Sequence, residues 1–555
     1  MKRITTFFAT MLIAAGLGAE TPANGLTLGE ENRKVATPSG AQVGICIRTL
    51  SGKVLREENA GLNFIPASNL KTVTAGAALK RLGADFRFET TVAYSGSVGT
   101  DGVLYGDLYI IGGGDPTLGS SAALAMPKDS LFSKWERAVR GAGIRSIAGS
   151  IIADSRKMPA EVNGSWMYED MGTYYGTTCS ALMFNENCLE ITVAPGTGVG
   201  DEVIICSENA GKILSSDSGR KQMLPNRPWM KIKNSCTTGP EGSGDKSYLL
   251  VSEFAAAGHL VGSYAVDHKA KTISYNDPFA DFSCAYEFAS FLSSNGIPCA
   301  AVTSTSTCHP TAIFHNTKSS MHEKCLGTYD RHDRKQSFGF ESFGFETFET
   351  SGSLTYSGHF TPQDSLTTIT TTLSPRLSEI IRETLRVSNN LYAETLLRAL
   401  GPGGSTDDAL KSEMSIIESM GVSTSRVRIE DGSGLSRKNS VSPEFLVSFL
   451  TAMSRQSCFG TYLRTFNNPG PDEHIFSTSA LGIRRRIRLK SGSMGGVLCY
   501  CGYILPQSNA ISPTGTSKET STGETIAFSI MINDSIQSTT RLRNYIESVL
   551  SEYIK

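Results

Sequence analysis

From about residue 88 to about residue 302 this sequence breaks into short runs of β-forming residues separated by glycine turns, among them Gly102, Gly106 and Gly112-Gly113-Gly114-Asp115. The flanking segments carry helical periodicity instead. That change of texture predicts inserted β-rich material inside a chain whose outer parts are α/β. The length of 555 residues agrees, since one core rarely organises so many and two or three domains are expected. The triple glycine lacks the Gly-Lys-Ser/Thr of a phosphate loop and reads as a tight turn.

On the N-terminal side, residues 42–47 alternate toward a Ser51-Gly52 turn and a second short strand at 54–56, which predicts a β-hairpin. A helix follows, with Pro66 at its start, Gly83 at its end, and Leu70, Val73, Ala77, Leu79 and Leu82 at its apolar positions. Ser68 falls in its first turn. On the C-terminal side a helical stretch over 376–400 is interrupted near Val387-Ser388-Asn389-Asn390. Strands are predicted at 497–505 and 525–532, and a closing helix places Leu542, Ile546, Val549, Leu550 and Tyr553 on one face.

Lysine and arginine total 52 against 53 aspartates and glutamates, a balance without the positive footprint of a nucleic-acid binder. A neutral or small polar substrate fits better. Residues 1–19 have the layout of a secretory signal peptide: Lys2-Arg3, an apolar stretch from Ile4 to Leu17, and small residues through Ala19. That run is under the roughly 18 residues a spanning helix needs and no later run reaches it, so no transmembrane segment is expected after cleavage. Twelve cysteines belong to a chain read as exported, where disulfides persist, so some are expected to pair. Residues 303–362 are rich in Ser, Thr, Gly and Phe and read as a low-complexity surface insertion. Its histidines, with Cys308 and Cys325, match no standard zinc spacing, so neither metal nor cofactor is expected.

Three short strings stand in fixed order: Ser68-Asn69-Leu70-Lys71, Ser388-Asn389-Asn390 and Lys490-Ser491-Gly492-Ser493. On a helix, residues three apart share a face, so Lys71 stands beside Ser68 and can take its hydroxyl proton once the lysine is neutral. A second cation lowers its pKa, and Lys490 is the candidate. Ser388 can relay a proton toward a leaving amine, while Asn390 can bond both a lysine and a substrate amide. Lys490 and Ser491 suit a terminal carboxylate, Gly492 allows close backbone approach, and the amides of Ser68 and Ser493 suit an oxyanion. Taken singly, the strings are ordinary: a solvated helix lysine, a helix-capping serine and asparagine. Period two also places Arg484, Arg486, Arg488 and Lys490 on one face of a predicted strand, an electropositive approach or a solvated edge.

Together the strings resemble the motif set of penicillin-recognising serine enzymes. The likeness extends to Pro66-Ala67, Gly112-Gly113-Gly114-Asp115-Pro116, Tyr175-Gly176 with Ser180-Ala181-Leu182, Leu391-Tyr392-Ala393-Glu394 and Asp431-Gly432-Ser433-Gly434-Leu435-Ser436-Arg437. These resemble the D-alanyl-D-alanine carboxypeptidase/endopeptidase family, the class C low-molecular-mass penicillin-binding proteins. The resemblance implies an α/β fold, a penicillin-binding/β-lactamase-like transpeptidase domain with an antiparallel sheet flanked by helices, split by inserted β-rich domains. The 320 residues between Ser68 and Ser388 leave room for them. The domain plan is a signal peptide at 1–19, a catalytic domain divided between 25–88 and 363–555, β-rich insertion at 89–302, and the low-complexity segment at 303–362. The implied activity is acyl transfer from peptidoglycan stem peptides to Ser68, then hydrolysis, in an exported, periplasmic enzyme acylated by β-lactams. Catalytic roles fall to Ser68, Lys71, Ser388, Asn390 and Lys490; substrate binding falls to Ser491, Gly492, Ser493, Asp170, Tyr175 and Arg437, with Trp166 beside them. Ser491 replaces the usual threonine and keeps its hydroxyl. The alternatives are a β-lactamase-like hydrolase and a non-catalytic glycan-binding scaffold.

Overall fold

The structure, a computed structural model, describes residues 36–207, 222–224, 227–252, 255–306, 312–313, 362–470, 475–476, 479, 481–506 and 523–554. The expected signal peptide at 1–19 and nearly all of the segment read as an insertion at 303–362, with its histidines, lie outside the described residues.

Five strands from both sides of the described chain form one sheet: β1 (Gln42–Thr49), β2 (Val54–Glu58), β3 (Ile487–Met494), β4 (Val497–Ile504) and β5 (Ile526–Asn533). Their order is β2-β1-β5-β4-β3, antiparallel throughout. β1 and β5 join the N-terminal and C-terminal parts, from Gln42 opposite Asn533 to Thr49 opposite Ile526. Every residue of β4 is buried. Its alternation is therefore silent in the sequence, because both faces are covered.

Helix α1 (Lys71–Leu82) runs beneath this sheet and is buried continuously from Lys71 to Leu79. Its centre, Ala75-Gly76-Ala77-Ala78, is slim enough for neighbours to close in on all sides. Those neighbours are α2 (Leu377–Val387), α3 (Asn390–Arg398), α4 (Thr406–Ser419) and α5 (Pro443–Met453). On the other sheet face α6 (Thr539–Ser551) buries Leu542, Tyr545, Ile546, Val549 and Leu550. The fold is thus α/β, an antiparallel sheet with helices on both faces.

Between residues 89 and 373 lie an eight-stranded sheet and smaller sheets of four, three and two strands among the described residues. Thr367–Leu373 pairs antiparallel with Glu89–Tyr94, Leu373 opposite Glu89. Backbone hydrogen bonds therefore bring residues 89–94 and 367–373 together across the intervening chain. The triple glycine threads between backbones: a Cβ on Gly112 would sit 2.2 Å from the Ala181 carbonyl oxygen, and Gly114 takes a positive φ of 93° just before the turn at 116–118.

One expectation is corrected. Residues 484–486 belong to a helical turn, Leu481–Arg486, and the strand begins only at Ile487, so Arg484 and Arg486 do not share a strand face with Arg488 and Lys490. Arg486 instead donates to the Leu505 and Ile554 carbonyls. Of the twelve cysteines, Cys46, Cys179, Cys188, Cys236, Cys299, Cys458, Cys499 and Cys501 are thiols, most of them buried. Burial pushes the Cys501 thiol up to about 12, which leaves it unreactive. Among the described residues no helix is long and apolar enough to cross a membrane.

Glu413, on α4, is fully buried beneath α1. Thr74 faces it, but that hydroxyl donates to Gly432 O at 3.0 Å, and neither Glu413 oxygen has a hydrogen-bond partner. Burial, reinforced by Glu394 and Asp431, pushes its carboxyl up to about 8 from 4.5. Between those pH values the folded chain keeps a proton the unfolded chain has released, so stability falls as pH rises, by about 1.4 kcal/mol per unit at most. Glu413→Gln is expected to gain thermal stability over the parent increasingly from pH 5 to pH 8. A parent-to-variant Tm gap that is equal at both pH values sinks this account.

Candidate active site

Ser68 lies in a 3₁₀ turn, Ala67–Leu70, that runs directly into α1. Ala67 before it is left-handed at φ 47°, a conformation that a residue with a Cβ keeps only where its surroundings impose it. Strand β3 presses on this turn. A Cβ on Gly492 would fall 2.7 Å from Ser68 N and 2.8 Å from Asn69 N, so only glycine permits the contact.

β3 is the sheet edge. Leu489 turns its amide and carbonyl outward to Asn467, whereas Arg486 O accepts from Leu505 in the ladder. Antiparallel alternation then points the Ser493 amide outward as well. With Ser68 N held against neighbouring Gly492, two backbone donors are available to a charge developing on an acyl oxygen.

Lys71 is completely buried, with Nζ 3.0 Å from Ser68 Oγ, 2.6 Å from Asn390 Oδ1 and 2.6 Å from Ser433 O. Burial first, and the charge of Lys490 second, hold its ammonium well below the ordinary lysine range; Asp431 and Glu394 pull the other way. A neutral amine has two N–H donors and one lone pair. Asn390 and the Ser433 carbonyl occupy the donors, and the lone pair faces the Ser68 hydroxyl. Lys490 is buried at 2% exposure, with Nζ 2.6 Å from Ser491 O.

Ser433 reaches Lys71 because its loop is held from below. Glu394 accepts from Gly432 N at 3.1 Å and Ser433 N at 2.8 Å. Asp431 accepts from Gly434 N, Ser436 N, Asn439 Nδ2 and Trp166 Nε1, all between 2.7 and 2.9 Å. Burial, with Asp431 nearby, pushes Glu394 up to about 7. The roles of Glu394, Asp431 and Ser433 were not legible beforehand. Both strings were singled out, yet nothing in their spacing says that one folds under the other.

Asn390 is fixed at both ends of its amide, donating from Nδ2 to Tyr175 O at 2.8 Å while Oδ1 faces Lys71. Ser388, left-handed at φ 59°, links α2 to α3; among the described residues no hydrogen bond joins it to Ser68 or Lys71. Tyr175 donates its hydroxyl to Asp170 Oδ1 at 3.3 Å. Burial raises the Asp170 carboxyl, which Tyr175 and the Arg437 charge partly offset. Arg437 is exposed and bonds Gly495 O at 3.2 Å, at the turn between β3 and β4. Trp166 is buried and donates its Nε1 hydrogen to Asp431. The structure thus gathers Ser68, Lys71, Asn390 and Tyr175 through direct bonds, with Gly492 against the Ser68 backbone.

The sequence profile described as the D-Ala-D-Ala carboxypeptidase 3 (S13) family matches residues 32–223 and 349–552. A D-alanyl-D-alanine carboxypeptidase of Actinomadura sp. (strain R39) is 26% identical over 482 residues, 83% of this chain and 74% of that relative. A penicillin-sensitive carboxypeptidase A of Dictyostelium discoideum is 24% identical over 512 residues, 88% of this chain and 81% of its own. Among solved structures, penicillin binding protein 4 (dacB) from Haemophilus influenzae superposes with a TM-score of 0.68 at 19% identity, covering 93% of this chain and 97% of that one. That likeness is one of fold.

Proposed function

The chain belongs to the D-Ala-D-Ala carboxypeptidase 3 (S13) family, and on that footing we propose that it is a serine-type D-Ala-D-Ala carboxypeptidase/endopeptidase acting on peptidoglycan stem peptides. The observation that carries this reading is the buried Lys71 amine between Ser68 Oγ, Asn390 Oδ1 and Ser433 O. Neutral Lys71 takes the Ser68 proton as Oγ attacks the carbonyl carbon of the penultimate D-alanine. The amides of Ser68 and Ser493 bind the oxyanion. Lys490 and Ser491 hold the terminal carboxylate of the substrate, and the proton taken up by Lys71 is returned to the leaving amine through Ser388, whose hydroxyl receives one proton as it gives one. Water then hydrolyses the acyl-serine. Penicillin acylates the same oxygen and leaves slowly. Residues 1–19 direct export to the periplasm.

The reading is tested by incubating the protein with a fluorescent penicillin and measuring intact mass. One adduct per chain, hydrolysed slowly, is expected; rapid multiple turnover of the drug favours a β-lactamase-like hydrolase, and no adduct favours a glycan-binding scaffold.

Asp170 and Tyr175, with Arg437 across from them, form the part that reads the substrate's diamino-acid side chain, the carboxylate taking its ammonium. Asp170→Asn is expected to lower kcat/KM for a stem peptide bearing a free diaminopimelate amine by about 10- to 100-fold, the scale of a charged hydrogen bond. Penicillin lacks that amine and should acylate the variant almost normally; equal losses for both ligands would assign Asp170 to the fold.

A further inference from the structure

Glu186, in the inserted region, occupies a backbone that needs an explanation. Asn185, Glu186 and Asn187 are consecutively left-handed, at φ 50°, 55° and 51°. Asparagine tolerates that conformation, but glutamate does so rarely. The flanking asparagines hold the turn: Asn187 Oδ1 accepts from Phe184 N at 3.1 Å, Asn187 Nδ2 donates to Thr178 O at 2.7 Å, and Asn185 Nδ2 donates to Cys188 O at 3.0 Å. Glu186 is the tip they aim.

Its carboxylate meets three neutral donors and, among the described residues, no cation. Oε1 accepts from Tyr392 OH at 2.9 Å and Ser120 Oγ at 2.6 Å, and Oε2 accepts from Asn389 Nδ2 at 3.1 Å. Asn389 and Tyr392 flank Asn390 in the first turn of α3. Asn389 also caps that helix, its Oδ1 accepting from Tyr392 N at 3.1 Å. One carboxylate therefore grips the turn on both sides of the amide that faces Lys71, directly after the left-handed Ser388.

We propose that Glu186 is a positioning residue of the acylation step, a strut from the inserted region that acts through Asn389 and Tyr392 to hold Ser388 and Asn390 in register with Lys71. The strained turn persists because it delivers this carboxylate. The proposal deepens the reading of Ser68 as nucleophile and rests on it for its kinetic arm. The insertion thereby takes part in setting the geometry of the catalytic cleft, through Glu186 and through the Tyr175 carbonyl.

The test has two arms on the full chain. Glu186→Ala is expected to raise hydrogen exchange in the 388–395 peptide while exchange in β4 and β5 stays at the parent level, and to slow the penicillin acylation rate constant at least about 10-fold with little change in the noncovalent binding constant. Glu186→Gln keeps the acceptor for Tyr392 and opposes the Asn389 amide, so its loss is smaller. Ser120→Ala removes a bond that does not reach the second motif and stays within about twofold of the parent. Glu186→Ala combined with Tyr392→Phe is expected to lose no more than Glu186→Ala alone. Unchanged exchange in 388–395, an acylation rate within twofold of the parent, or exchange raised equally throughout the chain each overturns the proposal. If the parent itself takes no penicillin, the nucleophile assignment fails, and the exchange arm still decides whether Glu186 holds the turn.

Discussion

Ser68→Ala is expected to abolish covalent labelling by penicillin and release of D-alanine together, with the thermal transition close to that of the parent. The loss is total because the variant retains no oxygen to carry the acyl group, and any residual hydrolysis would have to come from the oxyanion amides alone. The fold should tolerate the change, since Ser68 is only partly buried and its one side-chain hydrogen bond is to Lys71. Intact mass after incubation with the drug gives the answer. An adduct retained on the alanine variant would falsify the assignment of the nucleophile.

The second large effect is at Lys71. Lys71→Ala is expected to slow acylation by at least about 10²-fold, the usual scale for a lost general base. The pH profile distinguishes base from scaffold. A depressed lysine pKa means that the neutral, proton-accepting form gains population as pH rises, so the parent's acylation rate climbs through the Lys71 titration and levels off well below pH 10.5. In Lys71→Ala that limb disappears. Lys490→Met removes the second cation and moves the limb toward higher pH, without restoring an ordinary lysine value, because burial is the larger cause and remains. A parent rate independent of pH over that range would show that another group takes the Ser68 proton.

The same residues show where sequence reasoning reaches and where it stops. Alternation over 42–47, the helix opening at Pro66, and the break at Val387-Ser388 correspond to β1, α1 and the α2–α3 junction, because turn chemistry and periodicity depend on residues a few positions apart. The alternation read through Arg484 and Arg486 failed for a non-local reason, since the contacts of Arg486 with Leu505 and Ile554 lie on other elements. The cysteine count says nothing of which thiols are buried, and six of the eight named above are.

Ser68 and Lys71 are neighbours on one helix whatever the rest of the chain does, so the sequence by itself determined that a serine and a lysine share a face and that polar strings follow in a given order. Only the tertiary structure decided that Lys71 is sealed from water, that its other two partners come from 319 and 362 residues away, and that Glu394 braces the loop delivering one of them. The reason is physical: spacing and periodicity are properties of adjacent residues, whereas desolvation and the alignment of distant donors and acceptors exist only once the chain has closed on itself.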